Sequence, residues 1–295
     1  MEIKIDIEND DVRLDRFLRK RYKDMPLSSI YRIIRSGDVK VNGSKKKQDY
    51  RLKDGDVVRV PDTEDETKEK VTNFLNLTTE QKEFLKKIVI FENSSIIVVD
   101  KPDGMVMHKG SGYDYGLSEM YKSYLKNEEF AFANRIDRDT AGLIIGGKTP
   151  SAARELVQII RDRDISKNYY AIVKGVPKDK YFSRKSLLYK AEDKVIEVKE
   201  TREGAKESET NFRLVESKNG YSLIEAELIT GRTHQIRVHL AALGLPIVGD
   251  VRYGTREVKR MYLYSHMIII PEKEIDVDMD VPEYFREFMN KQGNK

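Results

Sequence analysis

Residues 133–148 read ANRIDRDTAGLIIGGK, and the character of the chain switches within them. Arg135-Ile136-Asp137-Arg138-Asp139 is too charged for a core strand, whereas Leu143-Ile144-Ile145, six residues after the first acid, is too apolar for a surface loop. Such a switch predicts a turn that holds a carboxylate at the lip of a sheet, where neighbouring arginines keep it ionised and a cleft can form above it. A lone acid in a turn is more often simply solvated, so the weight of Asp137 depends on what the rest of the chain brings to it.

Working upstream, Ile88–Phe91 and Ile96–Val99 have the composition of strands and are separated by Glu92-Asn93-Ser94-Ser95, which predicts a hairpin. Lys101-Pro102-Asp103-Gly104 follows as a rigid turn, and His108 beyond it is a candidate for substrate positioning. Downstream, Ser151–Arg161 spaces Ala152, Leu156 and Ile159-Ile160 as a helix does. The stretch SKNYYAIVKG, residues 166–175, reads as a strand with Tyr169 and Tyr170 on opposite faces, one for the core and one for the cleft. Residues 181–230 are β-rich. Thr230-Gly-Arg232-Thr-His234-Gln-Ile-Arg237-Val-His239-Leu240 begins a helix that ends near Gly244, Met261–Ile270 is the final strand, and a short helix surrounds Tyr284–Met289.

The N-terminal part reads as a separate unit. Residues 1–61 carry 16 Lys and Arg against 11 Asp and Glu, although the whole chain is only +4. Between Arg13 and Arg59, 15 basic side chains face 6 acidic ones, the footprint of a phosphate-backbone binder. Ile3, Ile5 and Ile7 alternate as in a strand; Asp11 caps a helix that buries Leu14, Phe17 and Leu18 and projects Arg16; Pro26 ends it. A second helix from Ser28 turns Ile30, Ile33 and Ile34 inward and Arg32 and Arg35 outward, and stops at Gly37. Asn42-Gly43 marks a tight turn, Lys45 and Lys46 stand at the tip of the hairpin, and Val57–Val60 is its returning strand. Residues 62–80, acidic and poor in apolar anchors, read as a linker before a larger domain over 81–295.

Composition narrows the chemistry. With no cysteine, the 295-residue chain has no disulfide, thiolate nucleophile or cysteine zinc site, which fits a reducing cytoplasm. No apolar run reaches the roughly 20 residues of a membrane helix. His234 and His239 stand five apart, about 140° around a helix, so they do not form a zinc pair. Gly142–Thr149 satisfies the phosphate-loop pattern G-x-x-x-x-G-K-T, but its inner residues look like the strand itself, so a nucleotide hydrolase is the weaker alternative. The constellation that survives is Asp137, Arg237 and Tyr169: a guanidinium can hold a carboxylate anionic by two hydrogen bonds, and a tyrosine in the same cleft offers a flat surface to a base.

Two resemblances rest on these residues. RLDRFL, SSIYRIIRSGDVKVNG and LKDGDVV, within residues 12–60, are similar to the RNA-binding domain named after ribosomal protein S4. Asn134–Leu143, Lys167–Ala171 and Thr230–His239, with Lys101-Pro102-Asp-Gly104 and Gly249-Asp250-x-x-Tyr253-Gly254, resemble the RluA-type pseudouridine synthases, with Asn134 and Ala141 where that family usually has His and Ser. The resemblance implies an α+β protein, with a mixed, mainly antiparallel catalytic sheet and a small N-terminal α/β RNA-binding domain. It also implies an enzyme that isomerises uridine in large-subunit ribosomal RNA without a cofactor or metal. In it Asp137 is the catalytic aspartate, Arg237 its ion-pair partner, Tyr169 the residue against the base and Arg135 the side chain that fills the gap left by the flipped uridine. Arg16, Arg32, Arg35, Lys45, Lys46, Arg232 and His234 are the further candidates for RNA contact, and the chain is expected to act as a monomer. The carboxylate could capture the sugar carbon or take the adjacent proton, and both routes stay open. A non-catalytic RNA-binding factor of the same fold is the rival from another class.

Overall fold

The computed structural model describes residues 1–22, 25–61, 74–110, 112–192 and 194–291. The chain divides into two compact units, one of Met1–Phe74 with Thr149–Ala152, the other of Leu75–Lys148 with Ala153–Lys295.

The first unit runs β1 (Glu2–Lys4), α1 (Leu14–Arg21), α2 (Leu27–Ser36), β2 (Lys40–Val41) and β3 (Val57–Arg59), its strands paired antiparallel in the order β1-β3-β2. Leu14, Leu18, Ile30 and Ile34 of the two helices close on Ile5, Val39, Val41, Leu52, Val58 and Val60 as one apolar core. Gly37 ends α2 in the left-handed region at φ 91°, and Asn42-Gly43 turns with φ 50° and 73°. The helix cap expected of Asp11 is absent. Asp11 has φ 58° and pairs with Arg51 at 2.7 Å, while the first amides of α1, Leu14 and Asp15, donate to the carbonyls of Tyr50 and Gln48. Backbone acceptors from the following segment do the work of a capping side chain.

Of the expected linker over 62–80, residues 62–73 lie outside the described residues. From there Leu75 and Leu77 pack against the core of the second unit, and Thr78 and Gln81 cap the next helix reciprocally.

The second unit continues with α3 (Thr79–Lys87), β4 (Val89–Glu92), β5 (Ile96–Lys101), α4 (Leu117–Tyr124), β6 (Ala131–Phe132), β7 (Ala141–Gly147), α5 (Pro150–Asp162, of which Ala153 onward belongs to this unit) and β8 (Ser166–Lys174). It then runs through β9 (Tyr181–Lys190), β10 (Val195–Val198), β11 (Lys206–Lys218), β12 (Tyr221–Leu228), α6 (Gln235–Ala242), β13 (Leu263–Ile270), β14 (Ile275–Asp278) and α7 (Glu283–Lys291). Among the described residues, eleven strands form one sheet in the order β10-β9-β11-β12-β8-β13-β7-β5-β4, with β14 on β13 and β6 on β7; of these pairs only β13 and β7 run parallel. The sheet is therefore mixed and mainly antiparallel.

Both faces of its middle are covered, which is why β7 is buried throughout and reads as an unbroken apolar run. Alternation splits its residues: Leu143 and Ile145 share an apolar cluster with Leu156 and Ile159 of α5, whereas Ile144 belongs to the one with Leu117 and Tyr121 of α4. Since Leu143–Ile145 are the centre of a strand, the residues of the G-x-x-x-x-G-K-T pattern form no anion-cradling loop. Gly142 has its own reason. At φ 113° a Cβ there would lie 2.2 Å from the carbonyl oxygen of Ser265, where the parallel pairing of β7 to β13 begins.

Two elements differ from the sequence reading. The helix after Thr230 starts only at Gln235, because residues 230–234 form a turn. Met261–Ile270 is not the last strand; β14 follows it, pairing Ile275 with Ile270 and Val277 with Ile268.

Candidate active site

A cavity of about 590 Å³ opens where the loop before β7, the start of β8 and the loop before α6 converge. The first of these loops is braced from two sides. Lys101, fully buried at the end of β5, donates to the carbonyls of Pro102, Met105 and Arg138, and Gly104 N–H donates to Arg138 O at 2.9 Å. Burial pulls the Lys101 ammonium down to about 8, with Asp103 and other nearby acids opposing. Asn134 supplies the second brace: its side-chain oxygen accepts from Ile145 N–H at 2.8 Å and so ties the loop to β7. Ile136 plugs into the core, Arg135 stays exposed, and Asp137 between the braces lines the cavity.

The partner of Asp137 comes from 100 residues further on. Arg237 Nη1 donates to Asp137 Oδ2 at 2.9 Å, while Arg138 turns instead to Asp139 at 2.7 Å. The neighbouring arginines therefore do not hold the acid, contrary to expectation. Arg237 also does not grip Asp137 by two bonds. Its bidentate partner is Asp250, through Nε at 2.7 Å and Nη2 at 2.8 Å. Burial raises the affinity of Asp250 for a proton, but Arg237 and the amides of Arg252 and Tyr253 outweigh it and hold the carboxyl below its ordinary value. Burial opposes the charge on Arg237, and the two carboxylates more than restore it. Asp137 keeps 28% of its side chain exposed against none for Asp250. One arginine thus serves a buried structural anion and an accessible one.

The turn Thr230–His234 owes its shape to Gln235. The Gln235 side-chain oxygen accepts from Thr230 Oγ1 and Arg232 N–H, and its amide donates to Glu209 O and Thr210 Oγ1. His234 is left at φ 54° with Nε2 3.5 Å from Asp137 Oδ2 and Nδ1 2.9 Å from the Tyr253 hydroxyl. A carboxylate can only accept, so the neutral ring is assigned its proton on Nε2, facing Asp137, and Nδ1 then accepts from the Tyr253 hydroxyl, which itself accepts Val195 N–H at 2.8 Å. Burial, with Arg237 and Arg252, keeps the ring neutral below its usual range, although Asp137 pulls the other way. His239, five residues on, is enclosed by the hydroxyls of Ser186, Ser208 and Thr210, and burial drops it to about 4. It takes no part in the cavity.

Tyr169 lines the cavity from β8. It is only 6% exposed and packs with the core, and burial pushes its hydroxyl up to about 12. Tyr170 points through the sheet and stacks on His266 at 3.7 Å.

Of the residues singled out from the sequence, Asp137, Arg237, Tyr169, Arg135, Arg232 and His234 all line this cavity. His108 does not; its Nδ1 stands 4.0 Å from Glu119. Arg16, Arg32, Arg35 and Lys45 are exposed on the first unit, and Lys46 lies over the Tyr50 ring at 5.0 Å. Asp250 was the role the sequence did not disclose: the acid is visible in Gly249-Asp-x-x-Tyr-Gly254, but only folding shows it to be the second anion on Arg237.

Residues 95–242 match the family model described as RNA pseudouridylate synthase, and residues 12–58 match the S4 domain. The Ribosomal large subunit pseudouridine synthase C of Vibrio parahaemolyticus is 39% identical over 258 residues, 85% of this chain and 80% of its own length. The protein of that name in Escherichia coli is 36% identical over 253 residues, 84% of this chain and 78% of its own. Among solved structures, Human RNA Pseudouridylate Synthase Domain Containing 4 superposes with a TM-score of 0.62 at 20% identity, over 73% of this chain and 98% of that one, a likeness of fold.

Proposed function

The chain belongs to the RNA pseudouridylate synthase family, and from that premise we propose that it isomerises uridine in large-subunit ribosomal RNA, with Asp137 as the reacting group. The observation that carries this reading is the shared guanidinium. Arg237 is anchored on buried Asp250 and presents its remaining nitrogen to Asp137, the one carboxylate among the described charged side chains lining the cavity. Isomerisation breaks the bond from N1 of uracil to the sugar, forms one from carbon five to the same sugar carbon, and moves a proton from carbon five to N1. Nothing is consumed. A sugar carbon losing its base becomes electron-poor, and an anion held at fixed position stabilises or captures it.

Tyr169, neutral and flat in the cavity lining, supports the base once it has left its stack. Extrusion costs a few kcal/mol, and exposed Arg135 beside the acid fills the vacated place in the helix. Arg232 and His234 complete the wall, His234 steadying the carboxylate through its Nε2 proton. The first unit, with Arg16, Arg32, Arg35, Lys45 and Lys46, grips the RNA backbone. The substrate assignment draws on the relatives named as acting on the large ribosomal subunit. Acting in the cytoplasm as a single copy agrees with that substrate.

Transcripts of large-subunit, small-subunit and transfer RNA, incubated with the protein and mapped for pseudouridine, test the assignment. Product at discrete uridines of the large-subunit transcript is expected; product confined to transfer RNA would reassign the substrate.

A further inference from the structure

The wall of the cavity carries an excess of positive charge that the chemistry at Asp137 does not use. Among the described residues, Arg135, Arg161, Arg163, Lys167 and Arg232 line it beside Arg237, against the single carboxylate of Asp137. Four of these five are exposed, and Arg161 and Arg232 also donate to Gln158 Oε1 and Glu207 O. Lys167 differs. It is half-buried on β8, two residues before Tyr169 and on the same face of the strand, with its ammonium beside Gly231, where an added Cβ would be 3.8 Å away. Burial alone lowers its affinity for a proton, and no carboxylate among the described residues offsets that cost. A cation kept in a partly dry wall without an anion is paid for by the fold and is neutralised only by something that enters. Uracil and ribose are uncharged, so the entering anion is phosphate.

We propose that Lys167 is a phosphate-binding residue, whose ammonium receives a non-bridging phosphate oxygen of the nucleotide turned into the cavity. The inference rests on reading the cavity as the seat of an extruded uridine. Two residues of strand separate Lys167 from Tyr169 by about 6.6 Å, so a base lying on the tyrosine carries its own phosphate toward the lysine. The lysine thereby fixes where the sugar stops relative to Asp137. Gly231 leaves the ammonium open on that side, since the position bears no side chain.

Lys167→Ala, Lys167→Arg and Lys167→Met, made in the full chain, separate this from the alternatives. Binding to a large-subunit ribosomal RNA transcript is measured over a salt series, and tritium release from carbon five at saturating RNA. Lys167→Ala is expected to bind roughly tenfold more weakly with the slope of log affinity against log salt reduced by about 0.7–0.9. Lys167→Arg restores the slope. Lys167→Met is expected to melt no lower than the wild type, because it removes an unpaired cation; a lower midpoint would make the lysine structural and overturn the proposal. An unchanged slope in Lys167→Ala would also overturn it. Tritium release by the wild type tests the synthase reading independently, and the salt slopes decide Lys167 whether or not release occurs.

Discussion

At the scale of single residues, the site is organised by where charge is buried rather than by which acids lie near one another in sequence. Asp137 stands between Arg135 and Arg138 in the chain but is held by Arg237, which is itself fixed by Asp250. Removing the arginine strands the fully buried acid. Arg237→Ala should therefore cost about 3–5 kcal/mol in urea unfolding, whereas Asp137→Ala, at a partly exposed position, should cost little. Asp250→Asn should leave the fold standing but free the guanidinium to shift, lowering the rate about a hundredfold in single-turnover assays with RNA affinity retained. His239 gives a pH signature. Its folded value of about 4 lies below the ordinary 6.5, so between these the unfolded chain binds the proton that the folded chain refuses. Stability from this group is complete above pH 6.5 and is lost as pH falls toward 4, by on the order of 3 kcal/mol. Unfolding of His239→Gln across that window should show a flatter dependence than the wild type.

At the scale of elements, the sequence disclosed what has a strong period and hid what is set by long-range pairing. The jump from Arg135–Asp139 to Leu143–Ile145 marked a loop entering a buried strand, and the opposite faces of Tyr169 and Tyr170 follow from strand alternation. The start of α6 was misread because Thr230–His234 is polar and continuous with it; the residue that ends the turn, Gln235, acts through four side-chain hydrogen bonds that no local pattern displays. Burial of Gln235 through Leu240 also erases the one-sided stripe that would have located the helix. β14 escaped notice because its four residues gain their order only by pairing with β13. The most constrained point of the sheet is Gly142, where the approach of Ser265 leaves no room for a side chain. Gly142→Ala should cost at least about 2 kcal/mol, read as a lowered thermal midpoint, and should displace β7 enough to reduce turnover as well.

At the scale of the whole molecule, the proposed function divides two kinds of binding between parts of one chain. The basic first unit carries Arg16, Arg32 and Arg35 on its helices, and the cavity of the second holds Asp137, Arg237 and Tyr169, where we propose the chemistry takes place. Replacing those three arginines with alanine should weaken RNA binding and lower its salt slope by up to about 2.7, while release at saturating RNA stays near the wild-type rate. No helix of the described residues is long and apolar enough to cross a membrane. The most direct measurement of the central claim is tritium release from carbon five of uridine in large-subunit ribosomal RNA by the wild type and Asp137→Asn, alongside the RNA affinity of each. Release by the wild type, none by Asp137→Asn, and affinities within a few-fold of each other is the predicted result. Undiminished release by Asp137→Asn, or RNA binding without release by either protein, would contradict it.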